Sequence, residues 1–205
     1  TGSGSNATVA HGLGVAPSMV IIKSRVDTSG DGNWLVYVNA GDVDETDYLL
    51  LNFPNRAEDE AGAFNDTAAT TTTFSLGTFV DLNESSKTYI AYCFANIEGY
   101  SKVGSFSGNN AADGTFVYTG FRPAWIMTKS SGTGGTNYDW VIFDNKRNTS
   151  NVSDAYIDAN LALGEVTSGR NEIDILSNGF KCRSSYGDLN SNTTYIYLAF
   201  AENPF

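Results

Sequence analysis

Apolar residues in this chain come in short runs separated by stretches of Gly, Ser, Thr, Asn and Asp. Met19-Val20-Ile21-Ile22, Leu35-Val36-Tyr37-Val38, Trp125-Ile126-Met127 and Val141-Ile142-Phe143 are continuous runs, and residues 87–96 and 193–202 hold the longest ones. Val, Ile, Tyr, Phe and Thr dominate these segments, and their lengths suit strands. No segment keeps apolar residues at i, i+3 and i+4 over ten positions, so no long helix is expected. Residues 57–63 suit one helical turn at most. Asn178-Gly179 is a strong signal for a tight hairpin. The pattern predicts an all-β protein.

The pattern is written twice. Gly14-Val15-Ala16-Pro17-Ser18-Met19-Val20-Ile21-Ile22-Lys23-Ser24 matches Gly120-Phe121-Arg122-Pro123-Ala124-Trp125-Ile126-Met127-Thr128-Lys129-Ser130, Pro123 following Pro17 by 106 positions. Trp34 and Trp140, Asn39 and Asn145, Phe74 and Phe180, and Thr88-Tyr89-Ile90 and Thr194-Tyr195-Ile196 keep the same offset of 106. An internal repeat of this kind sets the architecture. Each copy reads as an apolar strand ending in Lys-Ser, a polar loop and a Trp-led strand. A shorter strand follows (47–52 or 155–160), then one around Phe74 or Phe180 and a long final strand. We expect a β-sandwich of two tandem repeats, 1–98 and 99–205, related by a pseudo-twofold axis and packed as one compact unit. Met19–Ile22 and Trp125–Met127 read as strands buried on both faces. Lys23 and Lys129 read as the points where those strands reach solvent. Tyr100-Ser101-Lys102-Val103-Gly104-Ser105-Phe106-Ser107 is an alternating strand whose counterpart in the first copy would lie before Thr1. The first copy is therefore expected to lack a strand or to borrow one, and the natural protein to be longer.

Composition narrows the function. Gly 21, Ser 20, Thr 20 and Asn 20 make up about two residues in five of 205, while charged residues are 17%. The formal net charge of −11 repels phosphate backbones and anionic lipid, and Lys146-Arg147 is the only adjacent basic pair. Neither nucleic acid binding nor membrane insertion is expected, and no run of apolar residues is long enough for a membrane helix. The first residues carry neither a start Met nor a secretion signal, so the chain reads as a processed product or a slice of a longer protein. Cys93 and Cys182 form no metal or redox motif and read as free thiols more readily than as a bridge. Six N-glycosylation sequons are weak evidence of secretion in a chain so rich in Asn, Ser and Thr.

Candidate chemistry is sparse. His11, the sole histidine, sits in a turn before the first apolar strand and reads as structural. Asp42, Asp44, Glu45 and Asp47, and Glu58, Asp59 and Glu60, are acidic clusters that could serve a glycoside hydrolase, but they fall in polar segments and read as solvated loop charge. Asp27, Ser29, Asp31 and Asn33 have the alternating oxygen spacing of a calcium loop, the only cofactor considered. Val38 stands where that loop needs a carboxylate. Trp34 and Trp140, with Asn39 and Asn145, are candidate sugar contacts, although two Trp kept at one offset are first explained by packing. No catalytic constellation is visible.

Residues 9–24 (Val-Ala-His-Gly-Leu-Gly-Val-Ala-Pro-Ser-Met-Val-Ile-Ile-Lys-Ser), 87–95, 98–105 and the ending Tyr195-Ile196-Tyr197-Leu198-Ala199-Phe200-Ala201-Glu202-Asn203-Pro204-Phe205 carry a resemblance across essentially the whole chain. They resemble a domain of unknown function found in bacteriophage virion proteins, many from marine phages and often tail-fibre-like. The resemblance brings no catalytic residues. It implies a non-enzymatic virion structural or appendage protein, such as a tail fibre, adhesin or capsid-surface domain, displayed on the virion surface. The implied partners are other virion proteins, copies of itself or a host-surface glycan. The alternative is a secreted, lectin-like carbohydrate-binding module, for which Trp34 and Trp140 must be exposed.

Overall fold

The computed structural model describes residues 1–26, 32–132, 138–167 and 172–204. The chain is nearly all β, with 42% strand and 6% helix, and divides into two compact units, Thr1–Ala95 and Asn96–Phe205. The sequence reading put the division after residue 98. Residues 97–101 form a turn closed by an Ile97–Ser101 bridge, which ties this segment to the second unit.

The first unit contains β1 (Ala7–Ala10), β2 (Met19–Ser24), β3 (Trp34–Val38), β4 (Asp47–Leu50), β5 (Glu58–Asp59), α1 (Ala61–Phe64), β6 (Thr73–Leu76), α2 (Val80–Asn83) and β7 (Tyr89–Phe94). All strand pairs are antiparallel. The large sheet runs β5-β4-β3-β2-β7, and β1 pairs with β6 in a small one. Strand periodicity sends Val20, Ile22, Leu35 and Tyr37 to one face, where they pack on Phe74 and Leu76 of β6 and on Phe64 and Leu82 of the helical turns. Met19 and Ile21, on the opposite face of β2, are also buried. The turn expected within 57–63 is α1, capped by the Glu60 carboxylate accepting from the Gly62 N–H at 2.8 Å.

The second unit contains β8 (Ser101–Ser107), β9 (Phe116–Tyr118), β10 (Pro123–Ser130), β11 (Val141–Asp144), β12 (Ala155–Asp158), β13 (Val166–Thr167), β14 (Ile173–Leu176), β15 (Gly179–Cys182), α3 (Gly187–Asn190) and β16 (Thr194–Ala201). Its large sheet runs β13-β12-β11-β10-β16-β8, and its small sheet β14-β15-β9. Phe106, Ile126, Val141, Phe143, Tyr195 and Tyr197 of the large sheet pack on Val117, Ile175 and Phe180 of the small one. Trp125 is half-buried, unlike Met19 at the matching position.

The first five strands of this large sheet follow the order of the first unit's sheet. Met19 pairs with Phe94 and Val38, and Trp125, 106 positions on, pairs with Phe200 and Asp144. β8 is the addition: it covers the outer edge of β16, whereas β7 ends its sheet. The tight hairpin expected at Asn178-Gly179 is present between β14 and β15. Its two turn residues are Ser177 and Asn178, and Leu176 pairs with Gly179 as the first residue of β15. Glycine is needed there because a Cβ would lie 2.0 Å from the Val117 carbonyl oxygen.

Candidate functional site

The two conserved-offset tryptophans are strand anchors. The Trp34 backbone N–H donates to Asn52 Oδ1 at 2.9 Å, and the Trp140 backbone N–H donates to Asn160 Oδ1 at 2.9 Å. Trp34 is half-buried, and Trp140 is 1% exposed. A ring so enclosed offers no face to a sugar, so the structure corrects the expectation for Trp140. Asn145 is spent in the same way: it is buried, and its Nδ2 donates to Glu202 Oε1 at 2.7 Å, which in turn pairs with Arg122 at 2.9 Å. Asn39 is exposed and its N–H donates to the Ser18 carbonyl.

Asp27, Ser29 and Asp31 of the calcium reading lie outside the described residues. Asn33 is buried, its Oδ1 accepting from Asn52 at 3.0 Å and its Nδ2 donating to Asp81 Oδ2 at 2.9 Å. It thus belongs to an internal network. Among the described residues no three His, Cys, Asp or Glu side chains gather as metal ligands. His11 accepts from the Leu13 N–H at Nδ1 (3.2 Å), which leaves Nε2 to donate to the Thr70 carbonyl at 3.1 Å. It joins two loops.

The acidic clusters meet across β4 and β5, where Asp47 pairs with Asp59 and Tyr48 with Glu58. The Tyr48 hydroxyl donates to Glu58 Oε2 at 2.9 Å. Burial pushes the Asp47 carboxyl up, the Asp44 N–H hydrogen bond opposes it, and the neighbouring carboxylates of Asp44, Asp59 and Asp42 add to the rise. Hydrogen bonds from the Thr46 N–H and hydroxyl hold Asp44 down. Asp47 therefore departs from the expectation of wholly solvated charge, because strand pairing places it where water is partly excluded.

Lys129 departs further. It is 0% exposed, and its Nζ donates to the Ser130 carbonyl at 2.6 Å. Burial pushes its amine down to about 8, against the pull of Asp188 and Asp139. Burial likewise pushes Asp158 up to about 6, and Asp139 and Asp188 add repulsion. Lys23, its counterpart, is half-buried and donates to the Gly32 carbonyl.

Sequence reasoning missed the polar posts beneath each sheet, although Asp81-Leu82-Asn83 returns as Asp188-Leu189-Asn190. Asn83 Nδ2 donates to the Ser5 and Gly77 carbonyls, both at 2.7 Å, while its Oδ1 accepts from the Ser3 N–H at 2.8 Å. Asn190 Nδ2 reaches the carbonyls of Ala111 and Ser184, both at 2.9 Å, while its Oδ1 accepts from the Asn109 N–H at 3.1 Å. Tyr89 accepts from the Glu84 N–H and donates to the Val80 carbonyl, and Tyr195 does the same with Ser191 and Gly187.

Concave features among the described residues include one in each unit. In the second unit a cavity of ≈ 310 Å³ lies between residues 96–102 and 118–121. Tyr118, 59% exposed, stands over it, and the Lys102 ammonium lies 5.3 Å from the Tyr118 ring centroid. In the first unit a cavity of ≈ 220 Å³ opens beside β7, lined by Thr1, Gly2, Ser3 and Asn83 together with Phe74 and Tyr89 among others. β7 itself exposes Ile90 (40%) and Tyr92 (43%), while the matching Ile196 and Leu198 of β16 are buried. No described strand pairs with the outer edge of β7.

A family model described as a domain of unknown function, DUF7483, matches residues 1–204. The chain belongs to the DUF7483 family. No curated protein and no solved structure matches it. In this DUF7483 chain the open β7 edge and the Tyr118 groove are therefore read from their own chemistry.

Proposed function

We propose that this DUF7483 chain is a non-enzymatic structural or attachment domain of a phage virion appendage, which works by joining neighbouring polypeptides. The observation that carries this reading is β7, whose outer edge pairs with no described strand and which exposes Ile90 and Tyr92 on one face of its sheet. An unpaired strand edge is a template for another chain, and free-standing proteins blunt such edges with charge, proline or a covering loop. β7 carries neither charge nor proline over Tyr89-Ile90-Ala91-Tyr92-Cys93. The sequence resemblance to virion domains supplies the setting. The test is an electron cryomicroscopy map of the particle that bears this chain. The expected result is a neighbouring segment seated on β7; a map with β7 facing bulk solvent refutes the reading.

A carbohydrate-binding role has one observation in its favour, the Tyr118 ring with Lys102 beside it over an open cavity. An aromatic face with adjacent polar groups suits a sugar ring. A glycan array with the protein and its Tyr118→Ala variant tests it: binding lost in the variant supports this role, and no binding by either protein refutes it.

A further inference from the structure

The small sheet of the second unit ends on β9, whose outward face carries two exposed aromatic rings. Strand alternation buries Val117 in the core and sends Phe116 and Tyr118 to the other side, 44% and 59% exposed. Residues two apart on a strand lie about 7 Å apart, a distance comparable with the advance of one sugar ring along an extended glycan. The facing strand keeps this surface low. Tyr118 lies opposite Gly179, and Phe116 lies opposite Lys181, whose ammonium pairs with Asp113 at 2.6 Å. A Cβ on Gly179 would meet Phe116 Cε2 at 3.2 Å, so the Phe116 ring leans onto bare backbone with its outer side open. A ring over a glycine also packs the strand pair, but that packing asks nothing of Tyr118.

Tyr118 helps to line the cavity of ≈ 310 Å³, a size within the roughly 300–1,000 Å³ of small-molecule sites. Groups that suit sugar hydroxyls share that lining. Asn96 Oδ1 accepts from the Val103 N–H at 2.6 Å, which leaves its Nδ2 as a donor, and the Glu98 carboxylate is an acceptor. The Lys102 ammonium donates to the Tyr118 carbonyl at 3.3 Å and faces the Tyr118 ring.

Charge decides among ligands. Lys181 is matched by Asp113, Arg183 by Asp174 at 3.5 Å, and Lys102 by Glu98 in the same lining. Among the described residues these pairs leave no surplus of positive charge beside the rings for phosphate, sulfate or uronate, and the formal net charge of −11 repels such groups. A cationic ligand meets Lys102 already at the ring. A neutral ligand with an apolar face and hydroxyl edges fits. A pyranose ring is of that kind, because its C–H groups carry partial positive charge and suit the negative face of an aromatic ring.

We propose that the second unit binds a neutral, extended glycan across β9, with one pyranose ring in the cavity against Tyr118 and the next on the face of Phe116. This rests on the carbohydrate reading above and adds to it a second subsite and a charge preference.

The test probes the full chain with an array of neutral, sialylated, sulfated and uronate-bearing glycans of one to six residues, followed by calorimetry with the tightest ligand and its terminal monosaccharide. The expected signals come from neutral glycans of two or more residues, with the monosaccharide at least about tenfold weaker. Tyr118→Ala loses both ligands. Phe116→Leu keeps apolar bulk but lacks a flat face, so it weakens the oligosaccharide about fivefold or more and leaves the monosaccharide unchanged. Phe116→Tyr retains full binding. Intermolecular NOEs from the Phe116 ring to ligand C–H protons in the parent chain report the second subsite without any variant.

Preference for anionic glycans overturns the proposal. So do a monosaccharide as tight as the oligosaccharide, equal weakening of both ligands by Phe116→Leu, and the absence of Phe116 NOEs in a saturated complex. Binding lost in Tyr118→Ala but undiminished in Phe116→Leu removes the second subsite and leaves the carbohydrate reading standing. If no glycan binds, both fall.

Discussion

Replacing Asn190 by Ala tests the polar post that holds α3 beneath its sheet. Asn190 is 0% exposed. Its carboxamide bonds Asn109 Oδ1, the Ala111 carbonyl and the Ser184 carbonyl, each at 2.9 Å, and accepts from the Asn109 N–H at 3.1 Å. The partners on 109–111 are near solvent and regain water when the carboxamide is removed. The Ser184 carbonyl bond is buried and its oxygen stays dry. At about 1 kcal/mol net per bond, with about 1–3 kcal/mol for a stranded buried group, the loss is about 3 kcal/mol. That lowers the melting temperature of a unit this size by about 10–15 °C. Urea or thermal unfolding followed by tryptophan emission in a Trp34→Phe background reads the second unit alone, because the remaining Trp125 and Trp140 both lie in it. Asn190→Asp keeps the shape but sets a carboxylate against carbonyl oxygens, so it falls at least as far. Asn39→Ala, at an exposed site, stays within about 0.5 kcal/mol. A loss below about 1 kcal/mol for Asn190→Ala refutes the argument that these bonds fix α3.

Lys129 makes stability rise with pH: its folded amine titrates near 8 against 10.5 unfolded, so between these values the unfolded chain holds the extra proton. Unfolding midpoints should climb from pH 8 to pH 10, and Lys129→Met should flatten the climb. Asp158 acts oppositely. Its folded carboxyl titrates near 6 against 3.8, so the folded state holds the proton and stability falls as pH rises through that window; Asp158→Asn should remove this fall and be the more stable protein at pH 7 by denaturant titration. Trp140→Ala should cost about 3–5 kcal/mol, as for other buried aromatics, and clearly more than the half-buried Trp34→Ala, with equal losses refuting the anchoring difference. Thiol labelling of the native chain at pH 8 should modify Cys93 and spare Cys182, which is 0% exposed and pushed up to about 12 by burial; rapid labelling of both refutes the packing around β15.

The strand set was legible because strand identity is local. Runs such as Met19–Ile22 and alternation such as 100–107 need only neighbours in sequence to declare themselves, and the blocks 106 positions apart fell on strands with matching partners.

What eluded the sequence depends on which distant groups come together. Lys23 and Lys129 occupy the same place in the same motif, yet only Lys129 is fully enclosed, near Asp139 and the sequence-remote Asp188. The Asn178-Gly179 pair signalled a hairpin, but not that Gly179 is required by the approach of the Val117 carbonyl from another strand. Trp140 could not be told from Trp34, because burial is a property of what folds over a side chain. The β class and the doubled pattern are readable in the chain alone, because backbone propensity and apolar spacing act over a few residues. Which polar groups lose water is settled by the fold, because desolvation follows from packing between segments remote along the chain.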